Sequence, residues 1–272
     1  MNGDDPGQLA RAAARRELDL LKIEALDEIS IEDIAARRDL FVTDGELDGA
    51  DGRTVPHDGA GVIRVRRNIT QPARRRFVIA HELGHWVLEG PGRISSCSSR
   101  DLLEYGEGNA ESAANYFAAE LLMPGKLVRP LCNVPPGFSA IKEVARRCNT
   151  TLTASAVRFV QLSPEACALV WSENSKVKWV TRSADFEGWI DRGRTLSGLS
   201  HAGDVFRGNS IPEDPQPVPQ HAWVAQRVHG GRDLWEETLD FSTFGATLTL
   251  LWFQATDDDG SDDDDDDPRW RR

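Results

Sequence analysis

The clearest pattern of apolar and polar positions lies between residues 72 and 89. Phe77, Val78, His81, His85 and Leu88 fall on one face of a helix of 3.6-residue period. Pro72 suits a first turn, Thr70 stands where a cap is needed, and Gly90-Pro91-Gly92 ends the run. The segment is apolar almost all round, which predicts a buried helix. A second helix is predicted up to Leu122, with Asn109 as its cap and Pro124 as its stop. Glu111, Ala114, Asn115, Ala118 and Leu122 share a face there, and the alanines allow close packing against a neighbour. Glu120 points about 180° away from Glu111, which places it at the surface.

The rest of the chain reads more lightly. Leu9, Ala13, Leu18, Leu21 and Ile23 set an amphipathic helix across 8–24, and Ser30 caps a start at Ile31. Strands are expected at 40–43 and 62–67, the second with Arg64 and Arg66 on one face. The Gly- and Asp-rich stretch 44–61 between them reads as turns and loop. A short helix follows at 125–132, then a helix pair at 139–162 that resembles a helix-turn-helix. Beyond residue 165 the period changes. A hairpin is expected at 168–171 and 177–180, loop at 207–221, and a meander from 222–228, 234–240 and 246–253 that turns at Gly230-Gly231.

This predicts an α+β fold. Residues 1–165 form a core in which the histidine helix packs on the second helix and a small β-sheet. Residues 166–255 form a β-rich module that holds six of the eight tryptophans, and 256–272 an acidic tail. The tail carries nine Asp and three Arg, a net −6 of the total −12, and self-repulsion predicts disorder. The remaining −6 lacks the basic footprint of a protein whose main partner is nucleic acid. No apolar run reaches the roughly 18 residues of a membrane span, and the start lacks a signal peptide's regions, so a cytoplasmic protein is expected. Cys97, Cys132, Cys148 and Cys167 show no CxxC spacing and read as reduced thiols.

The chemistry sits in His81-Glu82-Leu83-Gly84-His85. Two histidines four apart lie about 40° apart around a helix and one turn apart along it, so both imidazoles can meet one ion. Glu82 is turned about 100° from His81, outside that ligand pair but within reach of a water at the metal, where a general base acts. Gly84 beside Ala80 leaves a flank where another backbone can approach. The plainer alternative is a buried helix with two hydrogen-bonded histidines. Glu111 on the second helix can join the ion, or else serve as a solvated carboxylate at a helix start.

His81-Glu82-Leu83-Gly84-His85, followed by Glu111-x-x-Ala114-Asn115-x-Phe117-Ala118-Ala119-x-Leu121-Leu122-Met123-Pro124, resembles the ImmA/IrrE family of zinc metallopeptidases. The run Gln71 to Phe77 resembles that family's approach to its metal helix. The resemblance implies one zinc ion bound by His81, His85 and Glu111, with Glu82 as general base. It implies a narrow protein substrate, an XRE-type helix-turn-helix repressor whose cleavage relieves repression in stress responses. Other functions compatible with the motifs are a non-catalytic, zinc-stabilised regulator that binds a repressor or DNA, and a toxin-like partner in a two-protein operon. By residue type alone Tyr105, Tyr116, His57 and His201 are candidates for stabilising the oxyanion.

Overall fold

The computed structural model describes residues 6–98, 101, 110–225, 228, 233–241 and 244–254. Helix α1 (Pro6–Leu20) and the short α2 (Ile31–Ala36) precede a four-stranded sheet. Ser30 caps α2 by accepting from the Asp33 N–H. The sheet consists of β1 (Leu40–Gly45), β2 (Gly52–His57), β3 (Ala60–Arg66) and β4 (Ser95–Cys97), in the order β1-β3-β2-β4. β1 runs parallel to β3, while β2 pairs antiparallel with both β3 and β4.

The stretch 44–61, expected as turns and loop, thus contains strand β2 and the start of β3. Its alternation is of the half-buried kind, with Gly52 and Thr54 inward and Arg53 and Val55 outward. The inward residues are small or polar, so the period was hidden from a reading by hydrophobicity. Asp58 and Gly59 take φ of 46° and 84° and close the β2–β3 hairpin, a two-residue turn that matches strand twist.

Helix α3 (Pro72–Glu89) lies on the inner face of this sheet, and α4 (Ala110–Leu122) packs along α3. The N-cap of α3 is Gln71 rather than Thr70, and it makes no side-chain cap bond. Pro72 at the first position has no N–H, so one of the groups a cap would serve is missing. Asn109, the expected cap of α4, lies outside the described residues. Gly84 allows the close approach: a Cβ there would lie 3.2 Å from both Cα and O of Ala114.

Three further helices follow, α5 (Gly125–Cys132), α6 (Phe138–Cys148) and α7 (Leu152–Leu162). Glu120 on α4 is 1% exposed, not at the surface. It accepts from Arg158 of α7, from Arg15 Nε of α1 at 2.9 Å and from the Gly125 N–H at 3.2 Å. Burying a carboxylate requires such partners, and the principal one is supplied by a distant helix. Arg158 is itself buried and also donates to the Met123 carbonyl, so it is not available to a phosphate.

The C-terminal part holds β5 (Cys167–Glu173), β6 (Lys176–Arg182), helix α8 (His201–Phe206), β7 (Gln216–Val218), β8 (Leu234–Phe241) and β9 (Ala246–Phe253). They form a sheet in the order β6-β5-β9-β8-β7. Residues 222–225, expected to begin a strand, leave a short 3-10 turn instead, and Trp223 is pinned by its indole N–H to the buried Glu236. The expected turn at Gly230-Gly231 lies outside the described residues, as does the acidic tail. One apolar cluster runs from α1 through the first sheet, α3 and α7 into Cys167, Leu169, Leu248 and Leu250 of the second sheet. No helix among the described residues is long and apolar enough to cross a membrane.

Candidate metal centre

Helix α3 delivers His81 and His85 one turn apart, and α4 brings Glu111 to them from its first turn. His81 Nε2 lies 3.1 Å from His85 Nε2 and 3.1 Å from Glu111 Oε2, and His85 Nε2 lies 3.4 Å from the same oxygen. Among the described residues these three form the group of ligating side chains able to hold a metal ion. The two histidines are buried and Glu111 is half-buried.

The remaining ring nitrogens are accounted for. Asn115 donates from Nδ2 to the Asp101 carbonyl at 2.7 Å, which fixes its Oδ1 as the atom facing His81. That oxygen can only accept, so His81 Nδ1 donates to it, at 2.9 Å. His85 Nδ1 lies 2.5 Å from Glu89 Oε1, and Glu89 in turn pairs with Arg93. With Nδ1 carrying the proton on each ring, both Nε2 atoms present bare lone pairs to each other and to the Glu111 carboxylate. Three lone-pair donors this close repel unless a cation or a proton lies among them. The charges reflect this. Burial disfavours the His85 imidazolium, yet Glu111 and Glu89 outweigh it and hold its pKa up to about 9. When a proton lies on Nε2, the His81 and His85 imidazoles hydrogen-bond the Glu111 carboxylate and hold its pKa down to about 2. Metal ligation would replace that proton and use the same three atoms.

Glu82 is fully buried beside this group and turned toward the sheet. Its Oε2 accepts from Thr54 Oγ1 of β2 at 2.7 Å and from Ser95 Oγ of β4. Its Oε1 has no hydrogen-bond partner among the described residues. Gly52 forms the wall next to it, where a Cβ would lie 2.9 Å from Oε1 and 2.6 Å from Val78 Cγ1.

The sequence reading therefore brought His81, His85 and Glu111 to one point with Glu82 at their side. It missed the residues that orient them. Glu89 follows His85 by four, and Asn115 follows Glu111 by four, so helical spacing could have flagged both. Thr54 and Ser95 lie 28 and 13 residues from Glu82, with no local pattern to mark them. The oxyanion candidates do not gather here. His57 is exposed at the end of β2 near Asp58, Tyr116 lies under the Arg11 guanidinium, and His201 begins α8 near Asp204. Tyr105 lies outside the described residues.

Residues 36–159, which carry this cluster, match the family model of the IrrE N-terminal-like domain, Peptidase M78, a match that supports assignment of that part of the chain to the ImmA/IrrE family. The chain is 31% identical over 121 residues to the radiation response metalloprotease IrrE of Deinococcus deserti, covering 42% of this chain and 40% of that protein. It is 28% identical over 174 residues to the protein of the same name from Deinococcus radiodurans, covering 58% and 49%. The match thus spans less than half the length of either relative. A Mycobacterium tuberculosis transcriptional regulator of known structure shares the fold, with a TM-score of 0.53 and 18% identity over 90% of this chain and 87% of the other.

Proposed function

We propose that this protein is a cytoplasmic zinc-dependent endopeptidase whose substrate is a helix-turn-helix transcriptional repressor. The observation that carries the proposal is the convergence of His81 Nε2, His85 Nε2 and Glu111 Oε2 next to a buried carboxylate with one unpartnered oxygen. A tetrahedral zinc site with bonds of about 2.0–2.1 Å sets its donors about 3.3–3.4 Å apart, and separations of 3.1, 3.1 and 3.4 Å are close to that. The donors are two imidazoles and one carboxylate, a set that suits zinc and leaves a position open. Zinc held there supplies Lewis acidity toward a peptide carbonyl and toward water.

The protein's own groups do the rest. Glu89 and Asn115 hold the imidazoles in the tautomer that ligates. Glu82 takes a proton from the attacking water at Oε1 and returns it to the departing amine. Burial keeps bulk water from competing for that oxygen. A core to about residue 165 carries this machinery, and the tryptophan-containing sheet serves as a second module. The repressor substrate rests on the family resemblance, because the net charge of −12 disfavours direct action on nucleic acid.

The test pairs the wild type with Glu82→Gln, each mixed with the repressor encoded nearest to it. The wild type is expected to cut the repressor. Glu82→Gln should keep its zinc and melting temperature but cut about 10²–10⁴-fold more slowly. Glu111→Ala should lose most of its zinc by elemental analysis. Equal relief of repression by wild type and Glu82→Gln in a reporter strain would falsify the peptidase mechanism and favour sequestration.

A further inference from the structure

We infer that Thr54 and Ser95 are positioning residues for Glu82: together they hold its Oε2 so that Oε1 alone is left to exchange protons. The inference rests on the peptidase reading of the site. Three independent observations carry it. Both hydroxyls point at the same carboxylate oxygen, one from β2 at 2.7 Å and one from β4. The other oxygen is buried and unpartnered among the described residues. The backbone facing that oxygen is Gly52, and any side chain there would meet it at 2.9 Å.

A hydroxyl has one proton to give. Thr54 and Ser95 each give theirs to Glu82, although both are side chains of a sheet and Glu82 belongs to a helix. Two donors on one oxygen fix the torsion of the carboxylate, which a single donor would leave free to swing. They also draw charge toward Oε2. The arrangement is costly for stability alone, since a buried carboxylate with one bare oxygen is poorly satisfied. It is sensible for a base, whose reacting oxygen must be free in the resting state and fixed in direction. The anchors differ in their setting. Thr54 is buried within the sheet, paired to Ile63 on one side and Ser95 on the other. Ser95 lies on a three-residue strand at the sheet edge.

The test uses the full chain loaded with cobalt in place of zinc, and acetohydroxamic acid as probe. This molecule chelates zinc through its two oxygens and passes its hydroxyl proton to a carboxylate placed beside the metal. It therefore reads the position of Glu82 without any knowledge of the natural substrate. Affinity is measured by displacement in the cobalt-substituted protein, together with metal content and melting temperature. Glu82→Gln is expected to weaken the probe at least about tenfold, the scale of one lost hydrogen bond to a charged group. Thr54→Val and Ser95→Ala should each weaken it several-fold, and the double variant should approach Glu82→Gln. Thr54→Ser, which keeps the hydroxyl, should restore wild-type affinity.

Wild-type affinity in a metal-loaded Thr54→Val/Ser95→Ala protein, with Glu82→Gln still weak, would overturn the positioning role and leave the peptidase reading intact. Wild-type affinity in Glu82→Gln itself would instead remove Glu82 from the metal and with it the peptidase reading. Should Thr54→Val fail to fold, Ser95→Ala decides, because its side chain is on an edge strand and little packing is lost.

Discussion

Glu82 on α3 and Glu120 on α4 are both buried glutamates, and their fates differ. Glu120 is met by Arg158, Arg15 and a backbone N–H, so its charge is fully answered. Glu82 is answered on one oxygen only. Glu82 could be singled out from the sequence as a candidate base because it sits inside a motif with fixed spacing. Glu120 was misread as surface because its main partner lies 38 residues away, and a helical wheel knows nothing of a distant guanidinium. The wall beside Glu82 gives a sharp prediction. Gly52→Ala places a methyl group 2.6 Å from Val78 Cγ1 and 2.9 Å from Glu82 Oε1, so the carboxylate must move. Zinc content should be unchanged, since no ligand is touched, while repressor cleavage falls by about 10²-fold, the effect of a misplacement near 1 Å. A Gly52→Ala enzyme with wild-type turnover would show that the wall is not needed.

Among elements, α3 and α4 were readable from period and stop signals, and even their close packing was foreshadowed by Gly84 and the alanines facing it. Gly84→Ala should press on the Ala114 backbone at 3.2 Å, cost about 1–3 kcal/mol of stability and loosen zinc by moving Glu111. Thermal melting with and without a chelator checks this, and an unchanged melting temperature in both would sink it. Strand β2 was not readable, because its inward positions are Gly52 and Thr54 rather than large apolar residues. Another cross-element contact was also invisible: the Phe138 N–H at the start of α6 donates to Glu237 Oε2 of β8 at 2.7 Å. Burial raises the Glu237 pKa above its ordinary value, against the smaller opposing pull of that N–H and of Lys142. A carboxyl whose pKa is raised on folding contributes stability fully below its unfolded value, about 4.3, and loses it as pH rises through the folded value. Glu237→Gln keeps an acceptor for Phe138 and removes the buried charge. Its melting temperature should exceed that of wild type near pH 7, and the difference should close near pH 4. A difference that widens on acidification would contradict the assignment.

For the whole molecule, the α+β class and the change of character near residue 165 could be read from the switch between helical and strand periods. What could not be read is that one apolar cluster joins Val160 and Leu162 of α7 to Leu169, Leu248 and Leu250 of the second sheet. Alternating apolar residues show that a face is buried but not against what. The shared cluster predicts one cooperative unfolding transition for the full chain by calorimetry. It also predicts that a chain cut after residue 165 binds a hydrophobic dye and melts without cooperativity. A cut chain that melts sharply at the wild-type temperature would show two independent units.

Strand β9 lies between β5 and β8 and is buried at every position, yet it is the last described strand in the chain. During synthesis the β5–β6 hairpin is therefore made some 60 residues before the strand that covers its inner edge, a delay of several seconds at about 5–20 residues per second. For that interval the nascent chain presents an unpaired edge of Cys167–Glu173, which contains the apolar run Ala168-Leu169-Val170-Trp171. A premature stop or stalled ribosome before residue 246 would leave this edge open for good, a ready target for chaperones or for pairing with another chain.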